Sequence, residues 1–387
     1  MARRVFLVAA GSTRYGESPV GVREMVREAV GACFGSADKG LDGRLVREAF
    51  VGSLGFGGGQ IGNLAAALND LAALRLVSAR RVENACASGG FALRDAVMAV
   101  KAGASDMALA VGVERMNDQP ATRRRYWLGV SGDTEWERMA GLTFPGVYAL
   151  MAARHMHDFG TTPEDLAAVA VKNHAFGALN PKAQFRRPVT AEAALASPMV
   201  ASPFTVYDCC STTDGAAAVV VASEEAARAV TDSPVEVRAS AGSSDHLAAH
   251  ERASLTRLDA TVRAGRDAFA QAGAAPADID VAELHDCFTI AEILALEDLG
   301  FADKGAGGSF TREGQSALGG QVAVNTSGGL KAKGHPLGAT GVGQAYELFR
   351  QLRQEAEAGR QAAGAELALA HNVGGSGATC VVHIFAR

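Results

Sequence analysis

The chain has 387 residues, of which 48% are hydrophobic and 20% are charged, so it can bury a large core in about two or three domain-sized units. Its net charge of −5 argues against a nucleic-acid-binding protein, and no apolar run is long enough to predict a transmembrane helix. The six cysteines include no C-x-x-C pair and are typical of reduced thiols. The apolar run at residues 5–10 is too short for a signal peptide, and we expect a cytoplasmic protein.

Short apolar runs alternate with helical patterns in the first part of the chain. They predict strands at residues 5–10, 49–53, 80–83 and 107–113, and helices at 22–34, 61–76 and 88–102. In the second of these helices, one apolar face contains Ile61, Leu64, Leu68, Leu71 and Leu74. This order predicts a largely parallel, buried sheet covered by helices.

Residues 115–200 interrupt this alternation with two helical patterns, at residues 145–159 and 163–179, and a strand resumes at 216–222. The second half repeats the order of the first. Strands are predicted at 235–239, 279–284, 322–325, 367–371 and 379–385, and helices at 256–271, 290–299 and 342–354. We therefore predict a duplicated α/β unit with an N-terminal half (1–114 and 201–232), an inserted loop domain (115–200) and a C-terminal half (233–387).

A cysteine stands in the first candidate loop, between a predicted strand and a predicted helix, in the segment Asn84-Ala85-Cys86-Ala87-Ser88-Gly89-Gly90. The amide groups and dipole of a helix N-terminus favour a thiolate there. The alternative is a buried cysteine with a structural role only.

A histidine stands in the second loop, within a glycine-rich segment at residues 325–341. His335 lies between Gly334 and Pro336, on a rigid turn before a helix, as a general base requires. The segment does not match a phosphate-binding Walker loop. A loop histidine without a role is the alternative.

Two further loops carry polar groups at strand ends. His285-Asp286-Cys287-Phe288 brings an imidazole and a thiol together, and metal binding is a rival interpretation that lacks a second ligand cluster nearby. Residues 371–377 contain glycines that can present backbone N–H groups to a carbonyl, although a hairpin turn explains them equally well. Together, the four loops suit acyl transfer by a thiol.

The glycine-rich segment at residues 325–341 resembles the thiolase motif N-x-x-G-G-x-x-x-x-G-H-P-x-G-x-x-G along its full length. The Cys86 loop resembles the nucleophile loop of that superfamily, and Asp214-Gly215-Ala216-Ala217-Ala218 is similar to its D-G-A-A-A segment. The H-D-C-F loop resembles that of the sterol-carrier-protein-type thiolases and their archaeal and bacterial relatives. The resemblance implies a five-layered α-β-α-β-α thiolase fold.

The resemblance also implies roles for individual residues. Cys86 would take an acyl group from an acyl-CoA or 3-ketoacyl-CoA, and His335 would activate it and contribute to an oxyanion hole. His285 would help to bind the thioester oxygen. Because Asn372 stands near the position of the family's second cysteine, Cys287 is the candidate proton shuttle. The N–H groups of Cys86 and Gly374 would form a second oxyanion hole.

Coenzyme A is then a substrate, and neither a permanent cofactor nor a metal is expected. Candidate CoA-binding residues are Arg123, Arg124, Arg125, Ser327 and Gly328, although the arginines also fit a solvated charge run. The resemblance implies a homodimer or tetramer and a small acyl-CoA-binding partner with an OB-fold and a zinc ribbon.

The function implied is condensation of two acyl-CoAs or cleavage of a 3-ketoacyl-CoA with CoA. Two alternatives stay open. One is a thiolase-like retro-aldolase that cleaves β-hydroxyacyl-CoA without a covalent intermediate, and the other is an acyl-CoA-binding scaffold subunit. The retained Cys86 argues against the first, and retention of all the catalytic residue types argues against the second as a sole function.

Overall fold

Ten strands form one mixed sheet, and two short strands form a separate hairpin. The computed structural model describes residues 3–59, 62–69, 74 and 76–387. The strands are β1 (Val5–Ser12), β2 (Glu48–Gly52), β3 (Ser78–Val82), β4 (Met107–Glu114), β5 (Met199–Ala201), β6 (Phe204–Thr205), β7 (Gly215–Ser223), β8 (Val235–Ser244), β9 (Val281–Glu283), β10 (Ala323–Val324), β11 (Leu367–Gly374) and β12 (Thr379–Ala386). The α-helices are α1 (Val22–Gly35), α2 (Leu64–Asn69), α3 (Ser88–Lys101), α4 (Ala121–Gly129), α5 (Phe144–Phe159), α6 (Pro163–Leu179), α7 (Ala191–Leu195), α8 (Glu224–Val230), α9 (Asp259–Ala272), α10 (Thr289–Asp298), α11 (Gly307–Arg312), α12 (Gly329–Ala332) and α13 (Thr340–Leu352).

The ten-stranded sheet consists of two halves with the same internal order. The first half follows the order β3-β2-β4-β7-β1, and the second follows β10-β9-β11-β12-β8. In each half the first two pairings are parallel and the next two are antiparallel. The halves meet where Phe6 and Leu7 of β1 pair with Glu236 and Val235 of β8. This repeated topology confirms the predicted duplicated α/β unit.

Three hydrophobic cores fill the space between five layers of secondary structure, and the middle core covers both faces of the central helices. Because successive side chains of a strand point to opposite faces, Leu7 packs in the core that contains α3 and α13, whereas Phe6 and Val8 pack beneath α1 and α2. The core around α3 and α13 also contains Phe385 of β12, so these two helices lie between the strands of both halves. A third core packs α9 and α10 on the other side of the second half. The order of the layers is α-β-α-β-α.

The starts of the two middle helices are in backbone contact through glycines. A Cβ at Gly89 would lie 2.5 Å from the carbonyl oxygen of Gly338, and a Cβ at Gly341 would lie 2.2 Å from the nitrogen of Gly90. Real side chains do not tolerate such distances to backbone, so each position needs a glycine. The loop before α3 and the loop before α13 are thereby held side by side.

Most predicted elements are present with small shifts at their ends. Of the helix predicted at residues 61–76, the structure describes α2 over Leu64–Asn69; residues 70–73 and 75 lie outside the described residues, and Leu76 has a φ of 65°, which lies outside the right-handed helical region. Of the predicted apolar face, Leu64, Leu68 and Leu74 are buried, whereas Ile61 and Leu71 lie outside the described residues. Helices α4, α7, α8, α11 and α12 had no predicted counterpart, and the last four are too short to show a period.

Helices α4 to α7 and the β5–β6 hairpin lie between β4 and β7. Threonines start the two longest helices here: Thr143 and Thr162 accept hydrogen bonds from the N–H groups of Gly146 and Asp165, and a proline follows each in the first turn. None of the helices in the described ranges has the length and apolarity to cross a membrane.

The glycine contact generates a stability prediction. We expect Gly341→Ala to lower the free energy of unfolding by about 1–3 kcal/mol, because its Cβ would overlap the backbone of Gly90 and the side chain of Asn372. Gly31→Ala is the matched control, since that position lies inside α1 with open space around it and alanine favours a helix. Urea unfolding measures both, and equal stability of the two variants would show that the contact is unimportant.

Candidate active site

Cys86 lies in a single 3₁₀ turn between β3 and α3. The preceding residue, Ala85, has a φ of 50°, a left-handed conformation that is unusual for alanine. Ser88 fixes the turn, because its hydroxyl donates to the carbonyl oxygen of Ala85 at 2.6 Å and accepts from the N–H of Asn84 at 2.9 Å. The constrained turn places Cys86 on the wall of a cavity.

The thiol of Cys86 is protonated at rest. Burial raises its pKa to about 12, and the neighbouring Cys210 acts in the same direction. The N–H of Gly375 opposes this by hydrogen bonding to the thiol, but burial dominates. The expectation that the helix N-terminus favours a thiolate is therefore wrong for the free protein. Cys86 needs a base when it reacts.

His335 is held as a neutral imidazole with a defined tautomer. Its backbone N–H donates to the hydroxyl of Thr213 at 2.9 Å, and its Nδ1 lies 2.7 Å from the hydroxyl of Thr340. That hydroxyl uses its single proton on the carbonyl oxygen of Pro336, so it accepts from Nδ1–H. Burial lowers the pKa of His335 to about 3. The unprotonated Nε2 is therefore free to act as a base.

His285 follows β9 and faces His335 edge to face, with ring centroids 5.0 Å apart. The Cys86 Sγ and one ring nitrogen from each histidine lie within 4.8 Å of one another, although 249 residues separate Cys86 from His335 in sequence. Cysteine and histidine are zinc-type donors, so the three side chains could also hold a metal ion. The structure thus brings together three residues that the sequence placed in three separate loops.

The cavity at these residues has a volume of about 120 Å³ and a mostly apolar wall. Met116, Leu128, Phe144, Phe288 and Leu337 supply that wall. Such a space excludes water from a reacting thioester and strengthens electrostatic interactions inside it.

Cys287, the predicted proton shuttle, lines the same cavity. Burial raises the pKa of its thiol, and its contact with the hydroxyl of the buried Tyr148 opposes that rise. The Tyr148 ring stacks on Phe288 at 4.6 Å, and its hydroxyl donates to the carbonyl oxygen of Gly375 at 3.3 Å. Sequence reasoning missed Tyr148, because nothing in the pattern of its helix distinguishes it from a core residue.

A second cavity of about 800 Å³ adjoins the first and shares Cys209, Cys210 and Ser211 with it. Four cationic side chains line it, namely Arg14, Arg186, Arg187 and Lys331, together with the rings of His174, Phe185 and Tyr207. The Arg186-Arg187 pair is the sequence signal for this wall, whereas the longer arginine run at 123–125 was the predicted phosphate site.

The predicted CoA-binding residues do not line either cavity in the described part of the chain. Arg123, Arg124 and Arg125 lie on α4. Ser327 is fully buried and donates to the carboxylate of Glu283 at 2.5 Å, and a Cβ at Gly328 would lie 2.7 Å from the Cα of Gly177. Ser327 and Gly328 therefore shape the loop before His335.

The predicted oxyanion donor Gly374 is the last residue of β11, where it pairs with Thr379. It packs against the Cys86 loop, since a Cβ there would lie 2.4 Å from the carbonyl oxygen of Asn84. Its neighbour Gly375 lines the cavity and reaches the Cys86 thiol. The structure thus places the next residue along, rather than Gly374, at the reacting group.

Comparisons with known proteins agree with this geometry. Residues 5–225 match the family model "Thiolase, N-terminal domain", and residues 241–387 match "Thiolase C-terminal domain-like". The chain is 46% identical to an acetyl-CoA acetyltransferase of Methanothermobacter thermautotrophicus, with 100% of both chains covered. It is 35% identical to sterol carrier protein 2 of Gallus gallus, over 98% of this chain and 71% of that protein. A solved structure described as "Ltp2-ChsH2(DUF35) aldolase" is similar with a TM-score of 0.86 and 26% identity, over 100% of this chain and 98% of that one.

The buried Cys86, His285 and His335 offer the nucleophile and the base that thiol-dependent acyl transfer requires. The chain belongs to the thiolase family. This confirms the predicted superfamily, fold and CoA-dependent thiolase activity.

The raised pKa of Cys86 predicts how the free enzyme reacts with iodoacetamide. Only the thiolate is nucleophilic, so below a pKa of about 12 the alkylation rate should rise about tenfold per pH unit between pH 7 and 9. Peptide mass spectrometry measures the alkylation rate at Cys86. The control is the rate at which iodoacetamide alkylates free cysteine, whose thiol is exposed, under the same conditions. A rate that is already constant near pH 7 would show a preformed thiolate.

Proposed function

We propose that the chain catalyses reversible cleavage of a 3-ketoacyl-CoA by CoA, or the reverse condensation of two acyl-CoAs, through an acyl group on Cys86. The observation that carries this proposal is the approach of the Cys86 thiol and the ring nitrogens of His285 and His335 to within 4.8 Å of one another. A nucleophile, a base and an oxyanion donor are what acyl transfer from a thioester or ketone requires.

In the first half of cleavage, His335 Nε2 takes the proton of Cys86 as Sγ attacks the 3-keto carbon. The Nε2–H of His285 stabilises the oxyanion, and the N–H of Gly375 lies beside the reacting sulfur. The bond between C2 and C3 of the substrate then breaks. The departing acyl-CoA carbanion takes the proton of Cys287, whose thiol burial keeps protonated for this step.

In the second half, the thiol of CoA attacks the acyl group on Cys86. Its proton passes to the Cys287 thiolate, which restores that thiol. Cys86 leaves as a thiolate and recovers its proton from His335, so all protons balance over one turnover. Condensation is the same path in reverse.

We assign the 800 Å³ cavity to the CoA moiety. Arg14, Arg186 and Arg187 offer guanidinium groups for phosphates, and Phe185 and Tyr207 offer rings for an adenine. The two cavities share Cys209, Cys210 and Ser211 in their walls, which supports placing the pantetheine arm between them. On this assignment CoA is a substrate, and no permanent cofactor is needed.

We propose a cytoplasmic homodimer or tetramer, with the insertion at 115–200 as a separate loop domain between halves 1–114 plus 201–232 and 233–387. A small OB-fold and zinc-ribbon partner is also proposed, and the DUF35 component in the description of the similar aldolase structure supports a two-protein assembly.

The similarity to that aldolase structure also favours a second candidate function, a retro-aldolase acting on β-hydroxyacyl-CoA. A retro-aldolase needs no acyl group on Cys86, so covalent chemistry separates the two. An acyl-CoA-binding scaffold would bind CoA thioesters and never become acylated.

Exchange between unlabelled acetyl-CoA and labelled CoA tests the covalent route. We expect exchange in the native enzyme and its loss in Cys86→Ala, because exchange needs the acyl-cysteine. Cys287→Ala should slow exchange, because Cys287 also takes the proton of the CoA thiol, and should lose deuterium incorporation at the acetyl-CoA methyl group while acylation of Cys86 stays detectable. Absence of exchange in the native enzyme would favour the retro-aldolase or the scaffold, and full exchange in Cys86→Ala would move the nucleophile elsewhere.

The assignment of the CoA cavity predicts a change in KM. Arg187→Ala should raise KM for acetoacetyl-CoA about tenfold, the equivalent of one charge-assisted hydrogen bond, with kcat little changed. Acetoacetyl-pantetheine, which lacks the nucleotide, should show no difference. Arg124→Ala is the matched control on α4 and should behave as the native enzyme. A larger effect of Arg124→Ala would return the phosphate site to the run at 123–125.

A further inference from the structure

Asn372 of β11 is buried between the Cys86 loop and His285. Only 1% of its surface is exposed. Its side-chain oxygen accepts from the N–H of Gly90 at 3.2 Å, and its side-chain nitrogen donates to the carbonyl oxygen of Cys86 at 3.0 Å. The same nitrogen lies 3.1 Å from Nδ1 of His285. A single amide thus ties the nucleophile loop to the second histidine.

These contacts determine which nitrogen of His285 carries a proton. Only the oxygen of the amide can accept from the N–H of Gly90, so the NH₂ group of Asn372 must face Cys86 and His285. The amide therefore donates one hydrogen to the Cys86 carbonyl oxygen and the other to Nδ1 of His285. An imidazole that accepts at Nδ1 carries its proton on Nε2.

The Nε2 atom of His285 is buried and has no hydrogen-bond partner among the described residues. The backbone of His285 is also held, because its N–H donates to Nδ1 of His371 at 3.4 Å. Burial and the adjacent His335 and His371 lower the pKa of His285 well below its ordinary value, so the ring is neutral. The position of its one proton then decides what the ring can do.

A buried Nε2–H without a partner can donate to an oxyanion but cannot bind a metal. Zinc binds histidine through an unprotonated nitrogen, and the other ring nitrogen then usually donates to a carboxylate or carbonyl. If a metal bound Nε2 of His285, the ring proton would have to move to Nδ1. It would then point at the N–H of the Asn372 amide, which already donates to that nitrogen, and two donors would face each other. The amide therefore works against the metal site that the Cys86, His285 and His335 cluster would otherwise offer.

We propose that Asn372 is a positioning residue that selects the Nε2–H tautomer of His285, making it an oxyanion donor and keeping divalent metal out of the Cys86-His285-His335 cluster. The first part rests on the proposed thiolase function. The second part concerns the free protein and does not depend on it.

Asn372→Asp tests both parts with almost no change in side-chain size. The carboxylate would accept from Nδ1–H and leave Nε2 unprotonated, as in carboxylate–histidine–zinc sites. We expect zinc affinity, measured by competition with a chromophoric chelator, to tighten about 10–100-fold. The added Cys86→Ala change should abolish that gain. We expect kcat in zinc-free buffer to fall about 10²-fold, as for loss of an oxyanion donor.

Nitrogen NMR of ¹⁵N-histidine-labelled protein reads the tautomer directly, with the His285 signals assigned by their absence in His285→Asn. The native protein should show protonated Nε2, and Asn372→Asp should show protonated Nδ1. Protonated Nδ1 in the native protein, or unchanged zinc affinity in a folded Asn372→Asp variant, would overturn the proposal. If Cys86 proves not to be the nucleophile, the exchange assay fails while the tautomer and zinc results stand.

A second pair of variants covers the case in which Asn372→Asp does not fold. Asparagine at position 285 donates from its amide whatever its partner, so the His285→Asn background removes the need for a selected tautomer. Asn372→Ala should therefore lower kcat strongly in the enzyme that retains His285, and only slightly in the His285→Asn background. Equal losses in both backgrounds would assign Asn372 a purely structural role.

Discussion

The backbone contact between the start of α3 and the segment leading into α13 is the constraint on which the site depends. Gly89 and Gly90 from one half of the duplicated fold touch Gly338 and Gly341 from the other at distances that exclude any side chain. Because both middle helices begin at this contact, the loops before them end at the same place. The first half contributes Cys86 and the second contributes His335. Because the two residues are far apart in sequence, only this contact between the halves brings them together.

Burial then determines how these groups behave. It raises the pKa of Cys86 to about 12 and lowers that of His335 to about 3, so the resting pair is a thiol beside a neutral imidazole. An ion pair would be expensive to form in this apolar space without a substrate oxygen to share the charge. The reactive thiolate is therefore tied to substrate binding. The Thr340 hydroxyl accepts from Nδ1–H of His335 and the Asn372 amide donates to Nδ1 of His285, and these two hydrogen bonds decide where each ring proton lies.

Much of this arrangement is readable in the sequence, and the remainder depends on contacts between distant residues. The strand-to-helix turn at Cys86, the glycine-proline frame of His335 and the H-D-C-F loop each have a local signature, and their alternation with apolar runs predicts the layered fold. The pKa of Cys86 was mispredicted because burial, unlike a helix terminus, has no local signature. Tyr148, Gly375 and the cationic wall at Arg186 and Arg187 reach their positions through tertiary packing alone.

The central claim is that an acyl group becomes covalently attached to the thiol of Cys86. The direct measurement is peptide mass spectrometry of the enzyme quenched in acid within one turnover of acetyl-CoA, with all six cysteines mapped. The account predicts an acetyl mass increment on Cys86 alone, absent when His335 is replaced by alanine. An increment on Cys210 or Cys287, or an unmodified enzyme that still turns over, would contradict it.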